Sequence, residues 1–378
     1  MTLGLYLHVP FCVAKCGYCD FVSYPLQEQH VHGYIEGLRK EAEFYSQQQE
    51  LGSRIVNTVF LGGGTPTCLE TANICHIVQI LREYFTWHDN CEATVEANPG
   101  TVTLDKLQKL RKEGISRLSF GVQAFQDQLL QRLGRIHRAQ EVHASITAAR
   151  QAGFDNISLD LMFGLPGQSL TQWQDTLQRA VAIEPEHLSC YSLKIEPGTA
   201  FAKEQALGRL VPPSEELELE MFLWAIEFLR AQGYEQYEIS NFAKPGYQCQ
   251  HNLRYWQCDE YLGLGPAAHS YVHGVRWSNV AKLQEYIHLV EKGAAAQAEI
   301  EPIDADIARV EYLIMGLRLN QGIDLAEFAR RFGSEMETWY KQELASLCQQ
   351  DLLKITDGRL ALTDRALPIA NLVLEKFV

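Results

Sequence analysis

The chain is short of positive charge, of long apolar runs and of paired metal-binding cysteines. Its 378 residues hold 33 Lys and Arg against 47 Asp and Glu, a formal net charge of −14. That excess of acid is a poor match to the phosphates of nucleic acid, so no nucleic-acid partner is expected. No apolar stretch reaches the roughly 20 residues that a bilayer crossing needs. Residues 1–11 are apolar but have neither a basic leader nor a small-residue cleavage site, and read as a first strand rather than an export signal. A cytoplasmic location is the expectation, and the ten cysteines are expected to stay reduced there. Low-complexity segments and internal sequence repeats are also absent.

What is present is a rhythm of short β-rich runs, glycine-rich or polar breaks, and helical patterns. Strands are predicted at 3–9, 56–61, 93–96, 117–121, 156–162 and 187–195. Between them, Leu104, Leu107 and Leu110 mark one helix face. Ser169 with Gln172 spells a capping box, and Ser214 before Glu215 and Glu216 starts another helix. Such alternation predicts an α/β fold whose parallel strands are joined by right-handed crossovers. Six units are visible, not the eight of a closed barrel, so an open partial (β/α)6 barrel is expected over residues 1–235.

The rhythm then stops. Residues 236–303 form a post-barrel segment in which 241–275 mix Gly, Pro, Tyr, Trp and His without periodicity. Residues 304–378 read as a smaller, mainly helical domain. Its expected helices run through Leu319, from about Leu325, and up to Leu347, followed by a hairpin and a closing helix. The hairpin turns at Asp357-Gly358, a type I′ signal. This order resembles a winged helix. Yet its 9 Lys and Arg against 12 Asp and Glu suit packing better than phosphate binding.

The strongest local signal is Cys12-Val-Ala-Lys-Cys16-Gly-Tyr-Cys19, three thiols in one loop after the first strand. Thiolates are soft ligands suited to iron–sulfur clusters and zinc. A structural zinc site wants four ligands, and no second Cys-x2-Cys pair exists. Zinc completed by a distant histidine, or three ordinary thiols, stand as the plainer alternatives. Haem attachment of the c type is excluded, because Cys19 is followed by Asp20 and not His. A [4Fe–4S] cluster on Cys12, Cys16 and Cys19 would leave one iron open.

Further candidates fall at the strand ends, the rim where barrel active sites form. They are Leu61-Gly-Gly-Gly-Thr-Pro66, Glu96-Ala-Asn-Pro99, Gly121-Val-Gln123, and Asp160 before Gly164-Leu-Pro-Gly167. Taken singly, each reads as a turn or cap. Together, every strand feeds polar or glycine-rich groups to the rim that holds the cysteines.

The cysteine spacing is the signature of the radical SAM superfamily, and nearly the whole chain resembles its coproporphyrinogen-dehydrogenase-like branch. In that family S-adenosylmethionine (SAM) chelates the open iron, and one-electron reduction can cleave it. The resemblance implies SAM contacts at Tyr6, Tyr18, Gly63, Gly64, Thr65, Glu96, Gln123, Arg135 and Asp160. Arg135, in Leu133-Gly-Arg-Ile-His137, could equally follow a helix cap on the surface.

Two departures separate this chain from the oxidase of that branch. The oxidase has a fourth cysteine two residues after the third, where this chain has Phe21. It also has an N-terminal extension before the first strand. Both features resemble the HemW-type haem chaperones, which bind haem and deliver it to acceptor proteins. His251-Asn-Leu-Arg-Tyr-Trp256 is similar to the motif tied to haem binding in that group, with His251 as the expected haem contact. From residue types alone the same histidine and aromatics could simply pack under the sheet. Arg254 could meet a propionate, and Tyr255 and Trp256 a porphyrin face. The implied cofactors are the cluster, SAM and haem. The implied partners are acceptor haemoproteins and an electron donor, with dimer formation and peripheral contact with membrane haemoproteins left open. No coproporphyrinogen oxidase activity is expected. The rival is the oxygen-independent coproporphyrinogen III dehydrogenase itself.

Overall fold

The computed structural model describes residues 2–378. Six strands alternate with helices: β1 Leu3–Val9, β2 Val56–Gly63, β3 Trp87–Ala97, β4 Arg117–Gln123, β5 Ile157–Phe163 and β6 His187–Ser192. The crossovers are α1 Glu28–Ser46, α2 Thr71–Tyr84, α3 Leu104–Lys112, α4 Ala139–Gln151 and α5 Leu170–Val181, with α6 Glu215–Ala231 after β6. All adjacent pairs in this run are parallel. Side chains of Leu5, Val59, Val95, Phe120 and Leu159 are fully buried between the sheet and these helices. Ser169 and Gln172 form the capping box of α5, and the Ser214 hydroxyl caps α6.

The post-barrel segment is more ordered than its composition suggests. It supplies β7 Glu235–Gln236, β8 Asn241–Ala243, β9 Tyr261–Leu264, β10 His269–Val272, β11 Val275–Asn279 and β12 Gln297–Pro302. These extend the six-stranded core to a twelve-stranded sheet of order β12-β11-β10-β9-β1-β2-β3-β4-β5-β6-β8-β7. Strand β9 lies parallel to β1, pairing Tyr6 with Gly263. Between β8 and β9, Gln250–Trp256 forms a helix, α7, that packs against β2.

The chain ends in helices Ala305–Gly316, Leu325–Phe332 and Glu337–Gln349, a hairpin and a short helix Ala370–Leu374. The hairpin strands Leu353–Thr356 and Arg359–Leu362 turn at Asp357 and Gly358, both with positive φ (51° and 74°). Ile323–Asp324 adds a third strand, which gives the winged-helix-like arrangement of helices and small sheet. Among the described residues no helix is long and apolar enough to cross a membrane.

Candidate functional site

The C-terminal ends of the parallel strands open onto a cavity of about 580 Å3. Cys12, Cys16 and Cys19 line it from the loop after β1, and the sequence-derived candidates Tyr6, Tyr18, Gly63, Gly64, Thr65, Glu96, Gln123, Arg135, Asp160 and His251 line it too. Strand alternation explains the gathering, since every second residue faces the same side.

The cysteine loop is anchored at several points. The Cys12 thiol stands 3.6 Å from the Thr65 hydroxyl, and Cys19 N–H donates to the Cys16 carbonyl at 3.3 Å. Gly17 N–H donates to the Leu133 carbonyl, and Phe201 N–H to the Gly17 carbonyl. All ten cysteines are free thiols. Burial, then repulsion from neighbouring thiolates, pushes the Cys12 and Cys19 thiols up, against hydrogen bonds that favour ionisation. Among the described residues no three His, Cys, Asp or Glu side chains close around a single metal ion. The three thiols line one side of a wider cavity.

Backbone approach explains the glycines after β2. Gly63 has φ +100°, and a Cβ there would meet the His8 ring at 2.5 Å. A Cβ on Gly64 would meet the Phe11 carbonyl at 2.4 Å. Larger residues would push this segment off the cysteine loop, to which Gly64 and Thr65 N–H donate at Val9 and Phe11. His8 was absent from the sequence candidates. It hydrogen-bonds the Tyr6 hydroxyl through Nδ1 at 3.1 Å and the Val22 carbonyl through Nε2 at 2.7 Å, tying the end of β1 to the cysteine loop.

Two half-buried carboxyls, Glu96 and Asp160, line the chamber. Glu96 accepts from Gly63 N–H at 3.2 Å. Burial, then the charge of Asp160, pushes Glu96 up to about 8. Asp160 accepts from the hydroxyls of Ser119 and Ser189, yet burial still raises it. Gln123 holds φ 66°, unusual for a non-glycine residue, and its side-chain Oε1 accepts from the Tyr191 hydroxyl at 2.9 Å.

Arg135 turns inward from the Gly134 cap of helix Asp127–Leu133 and does not lie on the surface. Its Nη1 lies 3.5 Å from Cys16 Sγ, and Nη2 donates to Asn98 Oδ1 and the Gly121 carbonyl. Asn98 in turn donates to the Thr65 hydroxyl at 2.9 Å, linking the strand ends. Arg117 also lines the cavity, and its Nε and Nη1 have no hydrogen-bond partner although both are buried. Asn98 stood inside the Glu96-Ala-Asn-Pro99 motif without a role of its own, and Arg117 was not a candidate. For Arg117 a signal existed: Arg117, Ser119, Gly121 and Gln123 recur at strand period on the inward face.

His251 lies in α7, only 1% exposed. Its Nδ1 is bonded to the Thr58 hydroxyl and its Nε2 to the Tyr255 hydroxyl, both at 2.9 Å, and its ring stacks on Phe60. Burial, then the charge of Arg254, lowers it to about 3, so the ring is neutral. Arg254 itself is buried and holds Asn57, Thr2 and the Glu260 carbonyl, and Trp256 lies under Arg318. The polar part of the motif thus braces α7 against β2.

The residues fit a cluster and SAM on three counts. Three thiols come from one loop. A guanidinium and a hydroxyl lie beside them. A glycine cradle with no room for Cβ atoms borders the half-buried Glu96 carboxyl. Fold and site together define a protein of the radical SAM class, and the Radical SAM superfamily model matches residues 6–180 while the HemN C-terminal domain matches residues 303–369. Heme chaperone HemW of Bacillus subtilis (strain 168) is 37% identical over 374 residues, covering 99% of this chain and 98% of that protein. Heme chaperone HemW of Lactococcus lactis subsp. lactis is 32% identical, covering 99% and 96%. The solved structure of coproporphyrinogen III oxidase (HemN) from Escherichia coli, a radical SAM enzyme, superposes with a TM-score of 0.87 at 26% identity, covering 100% of this chain and 90% of that one. The chain belongs to the heme chaperone HemW family of the radical SAM superfamily.

Proposed function

We propose that this chain binds haem and passes it to acceptor haemoproteins, with a [4Fe–4S] cluster on Cys12, Cys16 and Cys19 and SAM in the same cavity. The observation that carries the reading is the near-full-length similarity to heme chaperone HemW proteins. The cofactor part is supported by the three free thiols and by the Gly63–Gly64 segment, which brings bare backbone to the cavity wall. SAM is assigned to Tyr6, Tyr18, Gly63, Gly64, Thr65, Glu96, Gln123, Arg135 and Asp160. When bound, the cluster and SAM would supply one-electron chemistry. The chain's own residues position them. Arg135 faces the Cys16 sulfur, His8 ties Tyr6 to the cysteine loop, and Glu96 with Asp160 presents carboxyl oxygens to the bound cofactor. His251 is the proposed iron ligand, and it reaches haem only by giving up its bond to Tyr255 or Thr58.

A second reading is the dehydrogenase, which removes propionate carboxyls from coproporphyrinogen III. The likeness to HemN favours it. Phe21, standing where the oxidase has its fourth cysteine, counts against it. One experiment separates the two. Reconstituted protein is given dithionite, SAM and coproporphyrinogen III, and in parallel is loaded with haem and mixed with apomyoglobin. Transfer to apomyoglobin without vinyl product is expected. Vinyl product at a catalytic rate would end the chaperone-only reading.

A further inference from the structure

Large apolar side chains stand in the open on and next to the cysteine loop. Val13 and Phe21, on that loop, are 53% and 60% exposed. Ile136, 46% exposed, follows the Gly134–Arg135 turn that abuts Cys16 and Gly17. Three such residues stand in water beside one polar cavity, the pattern of a surface kept for a partner.

Two lysines border the same cavity. Lys15 donates from Nζ to the Phe21 carbonyl at 2.9 Å, which fixes it beside the phenyl ring. Lys194 rises from the end of β6 with its side chain 86% exposed. Its ion pair with Glu196 spans 3.3 Å in solvent, and such exposed pairs are weak enough to exchange for another carboxylate. Asp20 also borders the lip, so the lip is a mixed field in which the two lysines are discrete anion contacts.

The interior is not open to a macrocycle at first contact. Its walls carry the thiols and the proposed SAM contacts, and both nitrogens of His251 are already engaged. A planar apolar ring bearing two carboxylates matches the lip instead. We infer that haem is first taken at this lip, its face against Phe21 and Val13 and its propionates toward Lys15 and Lys194. This rests on the haem reading above. The docked haem then stays exposed to an acceptor and touches the loop that carries the cluster cysteines.

The test uses full-length, cluster-reconstituted protein titrated with haemin under anaerobic conditions. Phe21→Ser and Lys194→Glu are compared with the parent and with Lys354→Glu, an exposed lysine of the C-terminal hairpin. Each lip variant is expected to weaken haemin binding about tenfold or more, with Lys354→Glu unchanged. Iron and sulfide content is measured alongside. Lys194 lies outside the cysteine loop, so its variant reports on the lip even where Phe21→Ser disturbs the cluster. Parent-like affinity in both lip variants overturns the docking site and leaves the haem reading standing. A parent that takes up no haemin overturns both.

Discussion

Arg135 Nη1 and Cys16 Sγ meet at 3.5 Å across 119 residues of sequence, joining the turn after β4 to the loop after β1. The same guanidinium bridges Asn98 and the Gly121 carbonyl, so one side chain spans two strand ends and a sulfur. Arg135→Met keeps the bulk but leaves those buried acceptors unpaired, at a cost of about 2 kcal/mol. The expected outcome is a lower urea midpoint and weaker SAM binding by the reconstituted protein. A variant with parental stability and affinity would show the contact to be incidental.

Cys16→Ser removes one of the three thiols and little else, since Cys16 is partly exposed. Iron and sulfide content after reconstitution is expected to collapse while the far-ultraviolet dichroism is kept. Full retention of both elements would refute the ligand assignment.

Gly63→Ala tests the cradle. The positive φ costs an alanine about 1 kcal/mol, and its Cβ collides with the His8 ring. Because His8 links Tyr6 to Val22, the displacement is expected to spread to the cysteine loop. Isothermal titration with SAM should show a loss of at least tenfold; unchanged affinity would mean that His8 moves freely.

Glu96 makes a prediction about pH. Burial and Asp160 raise it from 4.5 to about 8, so between those values the folded protein holds a proton that the unfolded chain has released. Its contribution to stability is therefore full below pH 4.5 and lost as pH rises through about 8. Glu96→Gln still accepts from Gly63 N–H and should flatten that slope. Urea melts at pH 5, 7 and 9 read it directly, and a slope identical to the parent's would contradict the assignment.

Much of the fold was legible where local signals decide it. Ser169 and Gln172 marked a helix start through their own hydrogen bonds, and Asp357-Gly358 marked a turn through its positive φ. The six barrel strands were found because burial on both faces makes continuous apolar runs. Their ends were less certain: β3 begins at Trp87, six residues before the expected start, because His88, Asp89 and Asn90 are exposed and polar. Tyr261–Leu264 fell within the stretch read as having no periodicity, and its distant pairing with β1 makes it a strand. The site followed the same division. Cysteine and glycine spacing exposed Cys12 to Cys19 and Gly63 to Thr65. His8 and Arg117 were missed, and Asn98 was given no role within its motif, because their contacts come from neighbours far away in sequence, the exception being the inward period that includes Arg117. For His251, the motif pointed to the residue but not to its two hydrogen bonds, which only the packing of α7 on β2 creates.

The most direct test of the central claim is anaerobic reconstitution with iron and sulfide, then titration with haem and SAM under reduction, followed by optical spectroscopy and a product assay with coproporphyrinogen III. The account predicts stable haem uptake with the cluster absorbance intact and no vinyl product. Absence of haem uptake together with steady turnover of the porphyrinogen would contradict it and make the chain an oxidase in spite of Phe21.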